Sequence, residues 1–370
     1  MPAHRILSLD VVRGGMLVVS VAVDSLLAQP EWFGHAVWEG VHPVDVVFPV
    51  FVTLSGCGLA FAMHRRVRAW PLLRRVAILL AAGLVYNAIA LDSWSLDDWW
   101  LTGVLQLYAG VVAVLGLVHL ITRTWWGWAI VTAAFATTHT VLLSAWASGC
   151  AGLVLTPDCN PSGVIDPAVF GVQHIYHQGA LGHDPVGLVA LLGALVSASA
   201  GATAGHLMLS PRLSDGGVGR SALPLIGLAA GAALAGFLTI WVPEMVAGVH
   251  PLAMKRLWTP PFALWVASGT SLALLAAHLA VDRRRVGRGV RAAVWPLVAL
   301  GRNSLLVYFG SHALMSVLTR SSPSGGTPAA EIAAAIAVGG QPQLTFTLAM
   351  LAFWVALAAL LHRLGVYLRP

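Results

Sequence analysis

A histidine set between two carboxylates is the arrangement in this chain best suited to moving a proton or an acyl group. His35 lies eleven residues after Asp24 and ten before Asp45. An imidazole titrating near neutrality serves as a general base or as a transient acyl acceptor. A carboxylate on its second ring nitrogen orients the ring and stabilises its cation. The stretch FGHAVWEGVHPVDVVFPVFVTLSGCG, residues 33–58, carries His35, Trp38, Glu39 and His42 and runs straight into an apolar span that already contains Asp45. Ionisable groups at the mouth of a membrane helix are costly there and are functional candidates by default. Asp24 falls inside an apolar run, so we expect it to be the catalytic partner that orients His35. Asp45 follows Pro43 and reads equally as a first-turn helix acid or as a group that positions the acceptor or the histidine.

Other groups on the same side extend the candidate site. His174, His177 and His183 share a long segment with Asp184. His174 and His177 are three apart, but no second tight ligand pair accompanies them, so a substrate-facing or hydrogen-bonding role fits His174 better than zinc. No metal is expected. Rossmann and P-loop glycine motifs are absent, as is a GxSxG elbow. Arginine suits bidentate phosphate recognition. Arg74 and Arg75, and the run Arg302, Asn303 and Ser304 inside an apolar segment, are therefore the phosphate-binding candidates.

The elements that position these groups are membrane helices. The 370 residues are 58% hydrophobic and 10% charged, with mean hydropathy +0.80, against about 25% charge in a soluble chain. Apolar runs recur at close to the ~20 residues a bilayer span needs. They lie at about 11–29, 44–62, 72–91, 101–121, 126–146, 186–209, 221–241, 260–281, 293–315 and 344–361. The alternating ten-residue strands of a barrel are missing. The first run is longer than a signal-peptide core and continues into further spans, so it is expected to remain as a helix. The fold class expected is an all-α polytopic membrane protein of about ten transmembrane helices. It would form one domain over 1–370, with outside loops about 30–43, 147–185 and 317–343. Gly, Pro and Ser punctuate 317–343 around an Ala-rich middle that suits a short surface helix. No internal repeat is evident.

The net charge of +6 is a topology signal rather than a nucleic-acid footprint. With ten alternating spans, Arg5, Arg65, Arg66, Arg68, Arg74, Arg75, Arg123, Arg212, Arg220, Arg283, Arg284, Arg285, Arg288, Arg291, Arg363 and Arg369 share one side. The positive-inside rule makes that side, and both termini, cytoplasmic. The opposite side holds only Lys255, Arg256 and Arg320 as cations. Cys150 and Cys159 fall on that opposite side, where the compartment permits disulfides and eight intervening residues make a feasible loop, so we expect a Cys150–Cys159 bridge. Cys57 reads as packing. Most of the fifteen tryptophans, among them Trp128 and Trp258, fall at span ends and read as an interfacial belt. Trp38, beside His35, is exempted as a substrate-binding candidate.

The ordered set of these motifs resembles the heparan-α-glucosaminide N-acetyltransferase family, in its bacterial branch of membrane acyltransferases. The similarity begins with RILSLDVVRGGMLV, whose Asp-x-x-Arg-Gly is Asp10, Arg13 and Gly14. It continues through His35, Trp38, Gly40, Asp45, Phe48 and Pro49, then Cys150, Gly152, Cys159, Ile165, Asp166, His174, Ile175, Tyr176, Asp184 and Pro185. It ends with Leu257, Trp258, Thr259, Gly301, Arg302, Asn303, Ser304 and Tyr308. The resemblance implies that acetyl-CoA is the co-substrate, drawn from the cytoplasmic side. The acetyl group is delivered to an amino sugar on the other side. His35 matches the catalytic histidine, either acetylated itself or acting as base. Arg13 joins Arg74, Arg75, Arg302, Asn303 and Ser304 as a candidate for binding CoA. At the position of Asp24 the animal enzymes usually carry Asn, which can donate to a thioester carbonyl; a carboxylate cannot unless protonated.

The expected function is thus transfer of acetyl from cytoplasmic acetyl-CoA to an amino sugar or other glycan acceptor, N- or O-linked. The partners are that acceptor and membrane lipid, with no nucleic acid and with a homodimer left open. Ala/Gly/Arg-rich composition with a single lysine suggests a bacterial plasma membrane. A polytopic transporter, in which the same ionisable groups line a solute or proton path, is the alternative. A non-catalytic partner-binding protein would leave Asp24 and Arg302 without a role.

Overall fold

The computed structural model describes residues 6–210, 218–282, 287–321 and 325–368. Arg5, Arg212, Arg283, Arg284, Arg285, Arg369 and the Arg220 side chain, counted above for topology, lie outside the described residues. Thirteen helices are described: α1 Leu7–Asp24, α2 Val47–Met63, α3 Ala69–Leu91, α4 Val104–Ile121, α5 Trp125–Ala147, α6 Ser162–Phe170, α7 Leu188–Met208, α8 Val218–Ala247, α9 Pro260–Val281, α10 Arg288–Arg302, α11 Ser304–Leu318, α12 Pro328–Ala335 and α13 Pro342–Arg363. Among the described residues there is no strand, only isolated bridges Gly40–Met254 and Thr156–Cys159.

Eight of these helices are long and apolar enough to cross a membrane, α2 through its leading turn from Pro43, and the bent pair α10–α11 makes a ninth. Of the about ten spans expected, the first falls on α1, an 18-residue helix that carries Asp10, Arg13 and Asp24 and is not among the helices apolar enough to cross by composition. The chain is an all-α polytopic integral membrane protein. In the loop after α11, Pro328–Ala335 forms the short helix the composition suggested, capped by Thr327, whose Oγ1 accepts from the Ala330 N–H at 3.2 Å.

The residues gather into two compact units. One comprises residues up to 34, 89–92 and 276–369 and holds α1 and α10–α13. Its helices meet through glycine: a Cβ on Gly14 would stand 2.0 Å from the Leu297 carbonyl oxygen, and one on Gly301 1.9 Å from that of Asp10. Directly after Gly301 and Arg302, the chain turns by 71° between α10 and α11. Asn303 sits buried at that corner and donates from Nδ2 to Ala299 O at 3.2 Å.

The second unit comprises 35–88 and 93–275, built around α7. The run SASAGATAG, 197–205, lets neighbouring backbones approach α7 closely. In a membrane, where lipid removes the hydrophobic drive between helices, such small residues supply the packing. A Cβ on Gly56 of α2 would stand 1.8 Å from Ala198 O, and one on Gly201 of α7 1.8 Å from Thr53 O. Trp128 and Trp258 correct the belt assignment. Both are fully buried in this unit, and Trp258 Nε1 donates to Ser197 Oγ at 3.0 Å. Trp70, Trp94, Trp126 and Trp241 remain exposed as a belt requires.

The α2–α7 contact yields a stability prediction. A leucine at Gly201 must displace backbone, and overpacking of that kind costs about 3 kcal/mol. Gly201→Leu should lower the melting temperature of the detergent-solubilised protein sharply. Gly231→Leu on α8, where nothing lies within 4 Å of a new Cβ, should leave it unchanged.

Candidate active site

The loop 35–42 is tied to the first turn of the second span by one carboxylate. Pro43 opens a 3-10 turn over Pro43–Val46 that leads into α2, and Asp45 sits in it, 1% exposed. His35 Nδ1 lies 2.6 Å from Asp45 Oδ1. Asp45 Oδ2 accepts the Ala36 N–H at 3.2 Å and the His42 N–H at 2.8 Å. A buried carboxylate that accepts from Nδ1–H fixes the tautomer. The lone pair is then on Nε2, in a side chain that remains 48% exposed. This is the orienting geometry of a His–carboxylate dyad.

A second segment supports the loop from outside the sequence neighbourhood. Arg256 Nε donates to Ala36 O at 2.8 Å. Gly40, at φ +86°, a conformation that glycine adopts without a Cβ clash, pairs with Met254 in parallel. Lys255 therefore stands between two anchor points beside His35. Desolvation pushes the Lys255 ammonium down to about 8, opposed by Asp45 and reinforced by Arg256. Partial desolvation also holds His35 below the usual histidine value; the bond to Asp45 pulls it up, and Lys255 and Arg256 push it down.

Trp38 points away from a substrate role. It is buried in an apolar cluster with Leu143, Ala147, Cys150, Leu155 and Met254, and its indole N–H donates to Leu155 O at 3.0 Å. His183 meets its ring edge-on at 5.0 Å. The cluster is stapled by the Cys150–Cys159 disulfide that the spacing suggested. Trp38 thus anchors the loop that presents His35.

The long segment between α5 and α7 folds around two buried carboxylates. Asp184 accepts from Thr102 Oγ1 at 2.5 Å, from Tyr176 N–H at 3.1 Å and from Val186 N–H at 2.9 Å. Asp166 accepts from Ser162 Oγ at 2.5 Å and from Leu188 N–H at 2.7 Å. His174 is drawn into the same scaffold, its Nδ1 2.9 Å from Trp99 O. Among the described residues no group of three or more metal-ligating side chains forms.

The remaining candidates are distributed between the two units. Asp24 belongs to the first, where its neighbour is His312, Nδ1 to Oδ2 at 3.8 Å. The carboxylate bonded to His35 is therefore Asp45, not the Asp24 expected to orient it. The reason is local: the turn after Pro43 folds Asp45 back under its own loop. Arg74 is exposed on α3, and Arg75 Nη2 reaches Tyr108 Oη at 3.5 Å. In the first unit Arg13 is half-buried on α1, and the Arg302 guanidinium lies 3.8 Å from the centroid of the Tyr367 ring, with Nη1 3.4 Å from His362 Nδ1. Ser304 begins α11. Reasoning from sequence missed the working position of Lys255 and Arg256. The available signal was that Lys255 is the only lysine among 21 basic residues.

Comparison with known proteins supports the motif reading. Residues 5–161 match the family model described as heparan-alpha-glucosaminide N-acetyltransferase, catalytic. The human heparan-alpha-glucosaminide N-acetyltransferase is 24% identical over 368 residues, 83% of this chain and 52% of the human protein. The mouse protein of the same name is 23% identical over 365 residues, 84% of this chain and 54% of its own. The chain spans about half the length of the curated relatives it matches. The chain is similar to this family over the matched region, which contains His35, Asp45 and the disulfide.

The Asp166 clamp predicts a pH dependence. Burial raises its carboxyl to about 6; the Ser162 and Leu188 bonds oppose this and Asp184 adds to it. The folded state then holds the proton more tightly than the unfolded chain, so this stabilisation is complete below about 3.8 and is lost as pH rises through about 6. Asp166→Asn removes the titration while keeping the shape. Between about pH 4 and pH 7 the wild-type melting temperature should fall relative to that of the variant. Parallel profiles would contradict the assignment.

Proposed function

We propose that this chain, similar to the heparan-α-glucosaminide N-acetyltransferases, is a transmembrane acyltransferase that moves an acetyl group from acetyl-CoA to the amine or hydroxyl of a glycan acceptor. The single observation that carries the reading is the dyad: a buried carboxylate on Nδ1 of a half-exposed histidine, within the family-matched segment. With Asp45 holding Nδ1–H, Nε2 can take the proton from an attacking amine or hydroxyl. It can equally receive the acetyl group and pass it on. In both courses Asp45 steadies the imidazolium that forms.

Further assignments belong to the same proposal. Arg13, Arg74, Arg75, Arg302, Asn303 and Ser304 are the groups we assign to the CoA phosphates, on the arginine-rich side that the positive-inside rule makes cytoplasmic. The acceptor, a glucosaminide in the name of the relatives, would then meet His35 on the opposite face, and the chain would reside in a bacterial plasma membrane. Asp24, which shares α1 with Arg13, is proposed to serve the donor rather than the histidine.

Two variants test the dyad. Membranes carrying the protein are given radiolabelled acetyl-CoA with glucosamine as acceptor, and labelled product is counted. His35→Gln should lower turnover by about 10³-fold or more. Asp45→Asn, which keeps the shape and loses the charge, should lower kcat by about 10²–10⁴, with CoA binding retained in both. Equal turnover by His35→Gln would end the assignment. Uptake of solute with no acetylated product would favour a transporter.

A further inference from the structure

The one lysine of the chain stands beside the dyad, and among the described residues nothing occupies its ammonium. Every other cation is an arginine. Lys255 is half-buried, between Met254, which pairs with Gly40, and Arg256, whose Nε is bound to Ala36 O. Among the described residues its ammonium makes no hydrogen bond or ion pair, and its interactions are the field it exchanges with His35, Asp45, His183 and Arg256. A half-buried cation without a partner forfeits hydration, so its position needs a use.

The chemistry of the dyad supplies one. A carboxylate bonded to a histidine favours the imidazolium. Desolvation is the main influence lowering His35; the Asp45 bond works against it and draws the ring toward its cation, and Lys255 adds to the lowering. The charged groups acting on His35 are Asp45 from the turn ahead of α2, and Lys255 and Arg256 from the segment before α9. Arg256 is already committed to Ala36. An ammonium is a compact point charge without the planar fork by which arginine claims a carboxylate. It can therefore oppose Asp45 through space without competing for the oxygen that holds Nδ1. We propose that Lys255 is a positioning residue of the acyl-transfer site, whose ammonium helps keep the His35 ring in its neutral, proton-accepting form while leaving the His35–Asp45 bond intact. This rests on the acyltransferase reading for its purpose, but its physical content does not depend on turnover.

The test reads His35 directly. Of the two imidazole forms, diethyl pyrocarbonate modifies only the unprotonated one; initial rates are read at low conversion, before the Lys255 amine is itself acylated. The rate of His35 carbethoxylation, followed by peptide mass spectrometry between pH 5 and 9, therefore gives the ring's titration midpoint in the full-length protein, with no acyl donor present. Lys255→Gln should move the midpoint up by about one pH unit, the low end of what a nearby charge produces. Lys255→Arg keeps the charge and should leave the midpoint at or below the wild-type position. Lys255→Met serves as a second neutral variant should Lys255→Gln fail to fold. In the acetyl-transfer assay, the acid limb of kcat/KM should shift with the same sign and size. A midpoint unmoved in the neutral variants, or an upward shift in Lys255→Arg as large as in Lys255→Gln, overturns the proposal. Loss of transferase activity in the wild type would overturn the functional reading and leave the titration result standing.

Discussion

One buried carboxylate holds the candidate site together. Asp45 takes the imidazole of His35 on one oxygen and two backbone N–H groups of the same loop on the other. A desolvated carboxylate left without such donors would cost several kcal/mol, so the loop and the charge stabilise each other. Removing any one donor leaves the rest of the arrangement under-satisfied. The loop is consequently a preorganised presenter of His35 rather than a flexible linker between spans. Trp38 in the apolar cluster and Arg256 on the Ala36 carbonyl hold its remaining freedom.

The helices beneath must tolerate that arrangement, and small residues allow it. Gly56 and Gly201 let α2 and α7 pack backbone to backbone, which fixes the direction in which α2 leaves the Asp45 turn. The disulfide and the Asp166 and Asp184 clamps tie the segment between α5 and α7 over the end of the same unit. Polar groups buried near lipid have no solvent to fall back on. Their hydrogen bonds therefore act as positional constraints more than as sources of net stability.

Two electrostatic demands meet at His35. A carboxylate orients the ring, and under the proposed acyl transfer a ring that accepts a proton has to stay neutral. A carboxylate alone satisfies the first at the expense of the second. Lys255 and Arg256 bring opposing charge from a distant part of the chain, while their own backbone segment is pinned to the loop through Met254 and Ala36. Position and charge are thus delivered by the same short segment.

Hydropathy and cysteine spacing determined the all-α membrane class and the Cys150–Cys159 bridge, and singled out His35 as a candidate. These follow from composition and local period, which a sequence displays directly. The partner of the histidine was decided only in three dimensions. Asp24 and Asp45 are nearly equidistant from His35 along the chain, and hydropathy favoured Asp24. A tight turn after Pro43 brought Asp45 under the loop instead. Trp38 likewise stood out for its neighbour yet turned inward to the Leu155 carbonyl. Lys255 lies far from His35 in sequence, as Arg256 does from Ala36, 220 residues away. Separation along the chain carries no information on which charges share a field; chain path and burial set that.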